Sequence, residues 1–347
     1  MRKEDPETRR SRRPTMDDVA AQAGVSRTLV SLIFSGKPGA GAATRDRVLR
    51  AAEDLGYRPD SAARSLARGR SRTLGVLMDV HQPFQADLVA GIYAASEELG
   101  YEVLLSARAQ GREEGRAIES LLGHRCEGLI LLGPYSETSS LEALADRAVV
   151  VVVGRVVPHD RIDCVHTADA EGIAQAVDYL VGLGHVDICH VDGGADPGSE
   201  QRREAYLATM HRHGLSDRAR IVPGAHNEAA GIAAGRLLLA EGSLPTAVLA
   251  GNDRCAVGLM DHLTRAGIDV PGDVSIIGYD DTRLAEFARI DLTTVRQDSA
   301  ALARAAVGLA DRRLADATAE PTELVLDPTL VVRGSTGPAR VRDRAGR

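Results

Sequence analysis

Two groups of side chains in this chain have the types and spacing for molecular recognition. The first is Arg27 and Thr28, directly after Ser26 in the stretch Thr15 to Phe34, TMDDVAAQAGVSRTLVSLIF. An arginine fork matches the two acceptors of a guanine edge, and a threonine offers a hydroxyl and a methyl. The second group closes a series of apolar runs: Asp79 to Phe84, Tyr135, Gly154 and Arg155, Asp192, Asn252 and Asp253, Asp280 and Asp281. Carboxylates and Asn pair with hydroxyls, Arg adds charged donors, and an aromatic face covers the apolar side of a ring. That is chemistry for holding a polyhydroxylated small molecule. With no Trp, three Phe and seven Tyr, few residues can supply the face, and Phe84 and Tyr206 are best placed.

Covalent chemistry has no comparable support. No Ser-His-Asp or paired-carboxylate arrangement is identifiable from spacing, and the first strand-like run, LGVLMDV, is followed by HQPF rather than G-x-G-x-x-G. No G-x-x-x-x-G-K-[ST] occurs, and GGADPG at 193–198 has the wrong spacing. The chain reads as a non-enzyme without a cofactor. Its four cysteines, Cys126, Cys164, Cys189 and Cys255, are far apart and form no C-x-x-C, which favours buried thiols over disulfides or zinc. His211 and His213 point to different sides of a helix, so no metal site is expected. No apolar run approaches the ~18 residues of a membrane span, and the N-terminus lacks the apolar core of a secretory signal. A cytosolic location is expected.

Positioning Arg27 and Thr28 requires two short helices. Thr15 and Asp18 have capping-box spacing, and Val19, Ala20 and Ala23 form one apolar face. Gly24 can take the left-handed turn, and Ser26 can cap a second helix to about Phe34, with Val25, Val30 and Ile33 inward. In a helix-turn-helix of this kind the second helix lies in the DNA major groove with its N-terminal residues at the base edges. A plain helical hairpin in another kind of domain has the same local pattern. After the loop SGKPGAGAA, a third helix is expected from about Thr44 to Leu55, with Val48, Leu49, Ala52 and Leu55 on one face. Charge adds to the DNA reading: residues 1–72 hold 16 Lys+Arg against 9 Asp+Glu, a formal +7 in a chain of −7, which leaves −14 for the rest. A basic terminus on an acidic body suits a phosphate-binding head. Residues 1–14 read as a disordered basic arm. Beyond Pro59, the alanine-rich SAARSLA makes at most two helical turns, too short to be stable alone.

Three stretches together, T-M-D-D-V-A-A-Q-A-G-V-S, Y-R-P-D-S-A-A-R-S-L-A, and the distal G-N-D with S-I-I-G-Y-D-D, resemble the lactose-repressor (LacI/GalR) family of transcription regulators across residues 15 to about 335. The resemblance implies an all-α helix-turn-helix headpiece (15–60), a hinge helix and linker (61–71), and an α/β two-lobed, periplasmic-binding-protein-like core of parallel doubly wound sheets (72–337), ahead of a basic tail (338–347). The lobes are expected at about 72–166 with 297–326, and 167–296 with 327–337. It implies DNA contacts from Thr15, Ser26, Arg27, Thr28 and Ser31, and from Ala63 and Leu66 in the hinge, where Leu66 would wedge a base step apart. It implies effector contacts from Phe84 in Q-P-F, Arg202 in R-R-E-A-Y, Asn252 in G-N-D and Asp280 in G-Y-D-D. Two departures matter: Leu32 stands where an arginine that often reads guanine is common, and Asp60 replaces the usual hinge Asn or Ser. Leu32 offers only apolar contact, such as to a thymine methyl.

From Arg72 onward, apolar runs alternate with helical periodicity. Strands are read at TLGVLMDV, YEVLLSA, EGLILLG, VVVVVG, ICHVDG, TAVLAGN and VSIIGYD, with LTTVRQD crossing back and a last strand pair in TELVLDPTLVVRGS. The run divides near 155–167 into two similar units enclosing a cleft. Asp253 and Asp281 are expected to cap helices or secure loops. A regulator on this plan is a homodimer on a pseudo-palindromic DNA operator, controlled by a small-molecule effector of sugar or polyol type, with no membrane contact. Two other readings compete: a nucleotide-dependent enzyme, and a sugar-binding receptor without direct operator control. The tail PARVRDRAGR has no heptads, so nothing points beyond a dimer.

Overall fold

The computed structural model describes residues 14–35, 38–57 and 71–340. The chain divides between Ser71 and Arg72 into two units. In the first, helices α1 (Met16–Ala23), α2 (Arg27–Phe34) and α3 (Ala42–Leu55) share one small core. Thr15 N–H donates to Asp18 Oδ2 at 2.8 Å while Asp18 N–H donates to Thr15 Oγ1 at 3.4 Å, a reciprocal cap that starts α1. Gly24, at φ 62°, ends it in the left-handed conformation. Ser26 Oγ then accepts from Leu29 N–H at 3.2 Å and starts α2. Val19, Val30, Ile33 and Val48 are buried among small alanines, and the Arg47 Nε–H reaches the Ala23 carbonyl at 2.8 Å. One expectation fails in α3. Leu49 is 45% exposed and Ala51 is buried instead, because 48, 51, 52 and 55 recur at helical spacing whereas 49 is turned about 100° away from 48.

The second unit holds two sheets. The first contains β1 (Thr73–Asp79), β2 (Glu102–Arg108), β3 (Gly128–Leu132), β4 (Val149–Val153), β5 (Ile162–Thr167) and β11 (Glu323–Leu326), ordered β2-β1-β3-β4-β5-β11 and parallel throughout. Helices α4 (Pro83–Glu98), α5 (Glu114–Gly123), α6 (Thr138–Ala145) and α11 (Ser299–Ala315) cover it. The run VVVVV shows why this strand reads as continuously apolar: Val151 and Val153 pack on one face with Ile92 and Leu302, Val150 and Val152 on the other with Leu121 and Leu141. The second sheet contains β6 (Ile188–Val191), β7 (Arg220–Val222), β8 (Ala247–Ala250), β9 (Ser275–Asp280), β10 (Thr293–Arg296) and β12 (Thr329–Val331) in the equivalent order β7-β6-β8-β9-β10-β12. Its helices are α7 (Asp169–Gly182), α8 (Ser199–Arg212), α9 (Glu228–Ala240) and α10 (Asp253–Arg265). The chain passes between the lobes three times, after β5, β10 and β11.

Three elements were not read from sequence: β5, β7 and α11. The run IDCVHT of β5 is interrupted by polar residues, which its neighbours neutralise. Asp163, fully buried, accepts from Arg313 Nε at 2.5 Å, Arg312 Nη2 at 2.9 Å and Thr322 N–H at 2.8 Å, all from α11 and the segment after it. The expected terminal strand pair also separates. β11 runs parallel to β5 in the first sheet, and β12 runs antiparallel to β10 in the second. Among the described residues no helix is long and apolar enough to cross a membrane, and no His/Cys/Asp/Glu group can hold a metal ion. All four cysteines are free and buried; burial pushes the Cys126 and Cys189 thiols up to about 11 and Cys255 to about 12.

Candidate functional site

On the headpiece, Arg27, Thr28 and Ser31 are exposed along α2. Arg27 Nη1 lies 3.6 Å from Asp17 Oδ2, with side-chain exposures of 68% and 65%. At that exposure the pair is worth at most about 1 kcal/mol and leaves the arginine free to exchange partners. Thr15 and Ser26 spend their side-chain oxygens on caps, so they fix the two helices. Leu32 is half-buried beside Gly39, which restricts it as a contact surface. Asp60, Ala63 and Leu66 lie outside the described residues.

In the core, the carboxyl ends of both sheets face a cavity of about 80 Å³. Such strand ends, at the point where strand order reverses, are where doubly wound sheets bind ligands. Phe84, Arg202, Asn252 and Asp280 all line it, as do Tyr135 and Gly154.

Asp280 ends β9 at φ 116° and Asp281 follows at φ 55°. Two consecutive left-handed non-glycine residues cost about 1 to 3 kcal/mol each, a strain that persists only where the surroundings enforce it. Here the turn presents the Asp280 carboxyl to the cavity, where Gln297 Nε2 donates to its Oδ1 at 2.7 Å and Gln297 Oε1 accepts from Thr167 Oγ1 at 2.8 Å. Arg202, from α8, donates through Nε to Asp169 Oδ1 at 3.0 Å and through Nη1 to the Gly251 carbonyl at 2.8 Å. Its guanidinium carbon lies 3.7 Å from the centre of the Tyr279 ring. Those bonds use two of its five N–H donors. Asn252 caps α10, its Oδ1 accepting from Cys255 N–H at 3.0 Å, which leaves its amide nitrogen for the Asp280 side.

Electrostatics in this pocket follow from burial. Burial opposes the Arg202 charge, but Asp169, Tyr279 and Asp280 outweigh it and its pKa is raised. Burial raises Asp280 while Arg202 acts against the shift; Asp253 is raised by burial and then by Asp280. The His226 imidazole is held well below its ordinary range by burial and by Arg202, so it faces the cavity neutral. The site therefore combines a fixed cation, carboxyl acceptors and amides beside the apolar surfaces of Phe84, Leu88, Val153 and Leu302.

Some expectations need correcting. Tyr206 is fully buried away from the cavity, donating its hydroxyl to the Ile188 carbonyl at 2.7 Å with its ring centre 5.3 Å from that of His190. Tyr135 takes its place beside Phe84. Asp253 and Asp281 take the second of their two expected roles and secure loops rather than cap helices: Asp253 holds the loop after β9, accepting from Thr282 N–H at 2.7 Å and Thr294 Oγ1 at 2.5 Å. Asp281 binds Arg296 at 2.6 Å and Arg333 at 2.7 Å. Asp79, Arg155 and Asp192 do not line the cavity; they hold Arg108, the Ser136 carbonyl and Arg203. Sequence reasoning missed Thr167, Asp169, His226 and Gln297. Three of these sit at the first two lobe crossings, so recognising β5 and the crossing after β10 would have found them.

A helix-turn-helix headpiece followed by a two-lobed receptor with a polar interlobe cavity defines a DNA-binding regulator of the ligand-responsive class. Family models agree with both parts. Residues 15–60 match that of bacterial regulatory proteins, lacI family, and residues 177–336 that of the periplasmic binding protein-like domain. The HTH-type transcriptional regulator CelR of Thermobifida fusca is 32% identical over 337 residues, covering 94% of this chain and 99% of the relative. The crystal structure of a LacI transcriptional regulator from a Rhodococcus species is 45% identical with a TM-score of 0.75, over 77% of this chain and 99% of that one. The lac repressor dimer, bound to operator and the anti-inducer ONPF, superposes with a TM-score of 0.79 at 27% identity, over 94% of this chain and all of that one, 100%. The chain belongs to the lacI family of bacterial regulatory proteins.

Proposed function

We propose that this protein is a transcriptional repressor, not an enzyme, whose affinity for a pseudo-palindromic operator is set by a small polyhydroxylated effector between the core lobes. The carrying observation is the convergence of Arg202, Asn252, Asp280 and Gln297 on one buried cavity beside Phe84. Fixed donors and acceptors of that kind match a ring of hydroxyls. In this reading Arg27, Thr28 and Ser31 contact DNA, Thr15 and Ser26 orient the helices that do so, and Ala63 and Leu66 act at the hinge. Two copies place two headpieces on two half-sites, as the lac repressor dimer does on its operator. Effector binding shifts the balance between lobe arrangements and changes operator affinity by coupling of about 1 to 3 kcal/mol, about 5- to 150-fold. The protein acts in the cytoplasm, where its DNA is.

A calorimetric and thermal-shift screen of aldoses, polyols and nucleosides against the full chain tests this. A saturable binder of the wild type that Asp280→Asn no longer binds is expected. Equal titration of both proteins by that binder removes the site assignment.

A further inference from the structure

A second pocket opens beyond β2. The end of β2, the turn after it and the start of α5 carry three arginines, Arg108, Arg112 and Arg116, which line a space of about 440 Å³ together with Ala109, Gly111 and Glu113. Ala109 and Arg112 exchange backbone hydrogen bonds at 3.2 and 2.9 Å, closing a tight turn that brings Arg108 and Arg112 to one place. Arg116 joins them from the first turn of the ten-residue helix α5, whose positive end also faces anions favourably.

Two of the guanidinium groups are already held. Arg108 is ion-paired with Asp79 and lies 3.7 Å over the centre of the Tyr135 ring, and Arg112 Nη2 donates to Ser106 Oγ at 2.8 Å. Among the described residues, no carboxylate pairs with Arg112 or Arg116. The neighbouring acids do not reach Arg112 or Arg116: Asp79 is taken up by Arg108 and by His81 N–H at 2.9 Å, and Glu114 accepts from the N–H groups of Tyr135 and Ser136 at 2.8 and 2.9 Å. Asp79 neutralises Arg108 and Glu113 is the one carboxylate on the wall, so Arg112 and Arg116 against Glu113 leave a formal +1. A concave site with two planar forks that no carboxylate holds, one of them pre-organised by Ser106, is suited to a compact oxyanion with several acceptor oxygens.

We propose that the Arg108, Arg112 and Arg116 pocket binds a phosphate group, carried either by inorganic phosphate or by a sugar phosphate. The pocket adjoins the effector cavity through Arg108, whose guanidinium covers the Tyr135 ring that lines it. Only the sugar-phosphate source rests on the effector reading; the inorganic anion does not.

The test is calorimetric titration of the full chain with sodium phosphate at pH 7.5, ionic strength matched with chloride, in wild type and in the double variant Arg112→Gln, Arg116→Gln. Both side chains are exposed, so the variant should melt like wild type without phosphate, and binding by the headpiece is common to both proteins. Saturable phosphate binding weakened at least tenfold in the variant is expected. D-Ribose 5-phosphate and D-ribose distinguish the sources. A sugar phosphate at least tenfold tighter than inorganic phosphate, with the same loss in the variant, assigns the group to an effector, and equal affinity assigns a free anion. Either result supports the site. No heat beyond the chloride control, or equal affinity in the two proteins, overturns it.

Discussion

The Tyr135 hydroxyl, on the first lobe, donates to the Asp196 carboxylate of the second lobe at 2.7 Å. The other Asp196 oxygen accepts from His226 N–H at 2.5 Å, so the contact ends on a residue facing the cavity. Burial, and then the Asp196 bond, raise the Tyr135 phenol, which keeps it a donor. Gln82 Nε2 to the His226 carbonyl at 3.2 Å and Arg254 Nη1 to the His81 carbonyl at 2.5 Å bridge the same cleft. A hydrogen bond to a charged acceptor contributes about 1.5 to 3 kcal/mol. Tyr135→Phe should therefore favour separated lobes, seen as a larger radius of gyration of the ligand-free protein by small-angle scattering and a roughly 10- to 100-fold weaker effector. Unchanged values for both would mean that this bond does not hold the cleft.

Asp280→Asn should abolish the response to effector while leaving operator binding intact. Asn keeps the shape and tolerates the φ of 116°, so the change is one of acceptor chemistry. Arg202→Ala is a harsher test, since it leaves Asp169, 13% exposed, without its cation. Breaking a buried pair in this way costs about 3 to 5 kcal/mol, and a lowered melting temperature should accompany the lost response. Wild-type stability in Arg202→Ala would show that the pair contributes little.

What could be read before the fold was known followed from repetition. The short periodic runs of the headpiece carry cap residues, Thr15 and Gly24 on α1, Ser26 on α2 and Gly56 on α3, and strands such as GLILL and VVVVV are apolar on both faces because helices cover both. Tyr206 misled because it lies four residues from Arg202 on α8, hence on the same side, yet one turn further along, where its hydroxyl reaches a strand carbonyl. Thr167, Asp169 and Gln297 are far apart in sequence and meet only because the chain crosses between lobes beside each of them. No local pattern encodes that meeting.

On the headpiece, Arg27→Ala should lower specific operator affinity by about 1 to 3 kcal/mol and relax the sequence preference at one position. Loss of the exposed Asp17 contact adds at most about 1 kcal/mol to stability changes, so the effect belongs to DNA. Selection from a random duplex pool checks this: the same motif at the same affinity would remove Arg27 as a reader.

Acid should weaken the core through His190. Burial lowers its pKa to about 4 from an ordinary 6.5, so below pH 6.5 the unfolded chain takes up a proton that the folded chain refuses. The stability contributed by the neutral imidazole is then lost as pH falls from 6.5 towards 4, at about 1.4 kcal/mol per pH unit and about 3 kcal/mol in all. The raised Asp253 and Asp280 act in the opposite sense, so the comparison must be between proteins. The stability advantage of wild type over His190→Asn should shrink from pH 7 to pH 4.5 in denaturant melts. A difference independent of pH would show that His190 does not titrate this way.

The most direct test joins the two units: fluorescence anisotropy of a labelled duplex, selected from a random pool, titrated with wild type and Asp280→Asn with and without the effector found by screening. The expected result is a 5- to 150-fold change in Kd for wild type, roughly, and less than about twofold for the variant. No preference for any duplex over random sequence at moderate salt, or an equal response in both proteins, would contradict the account.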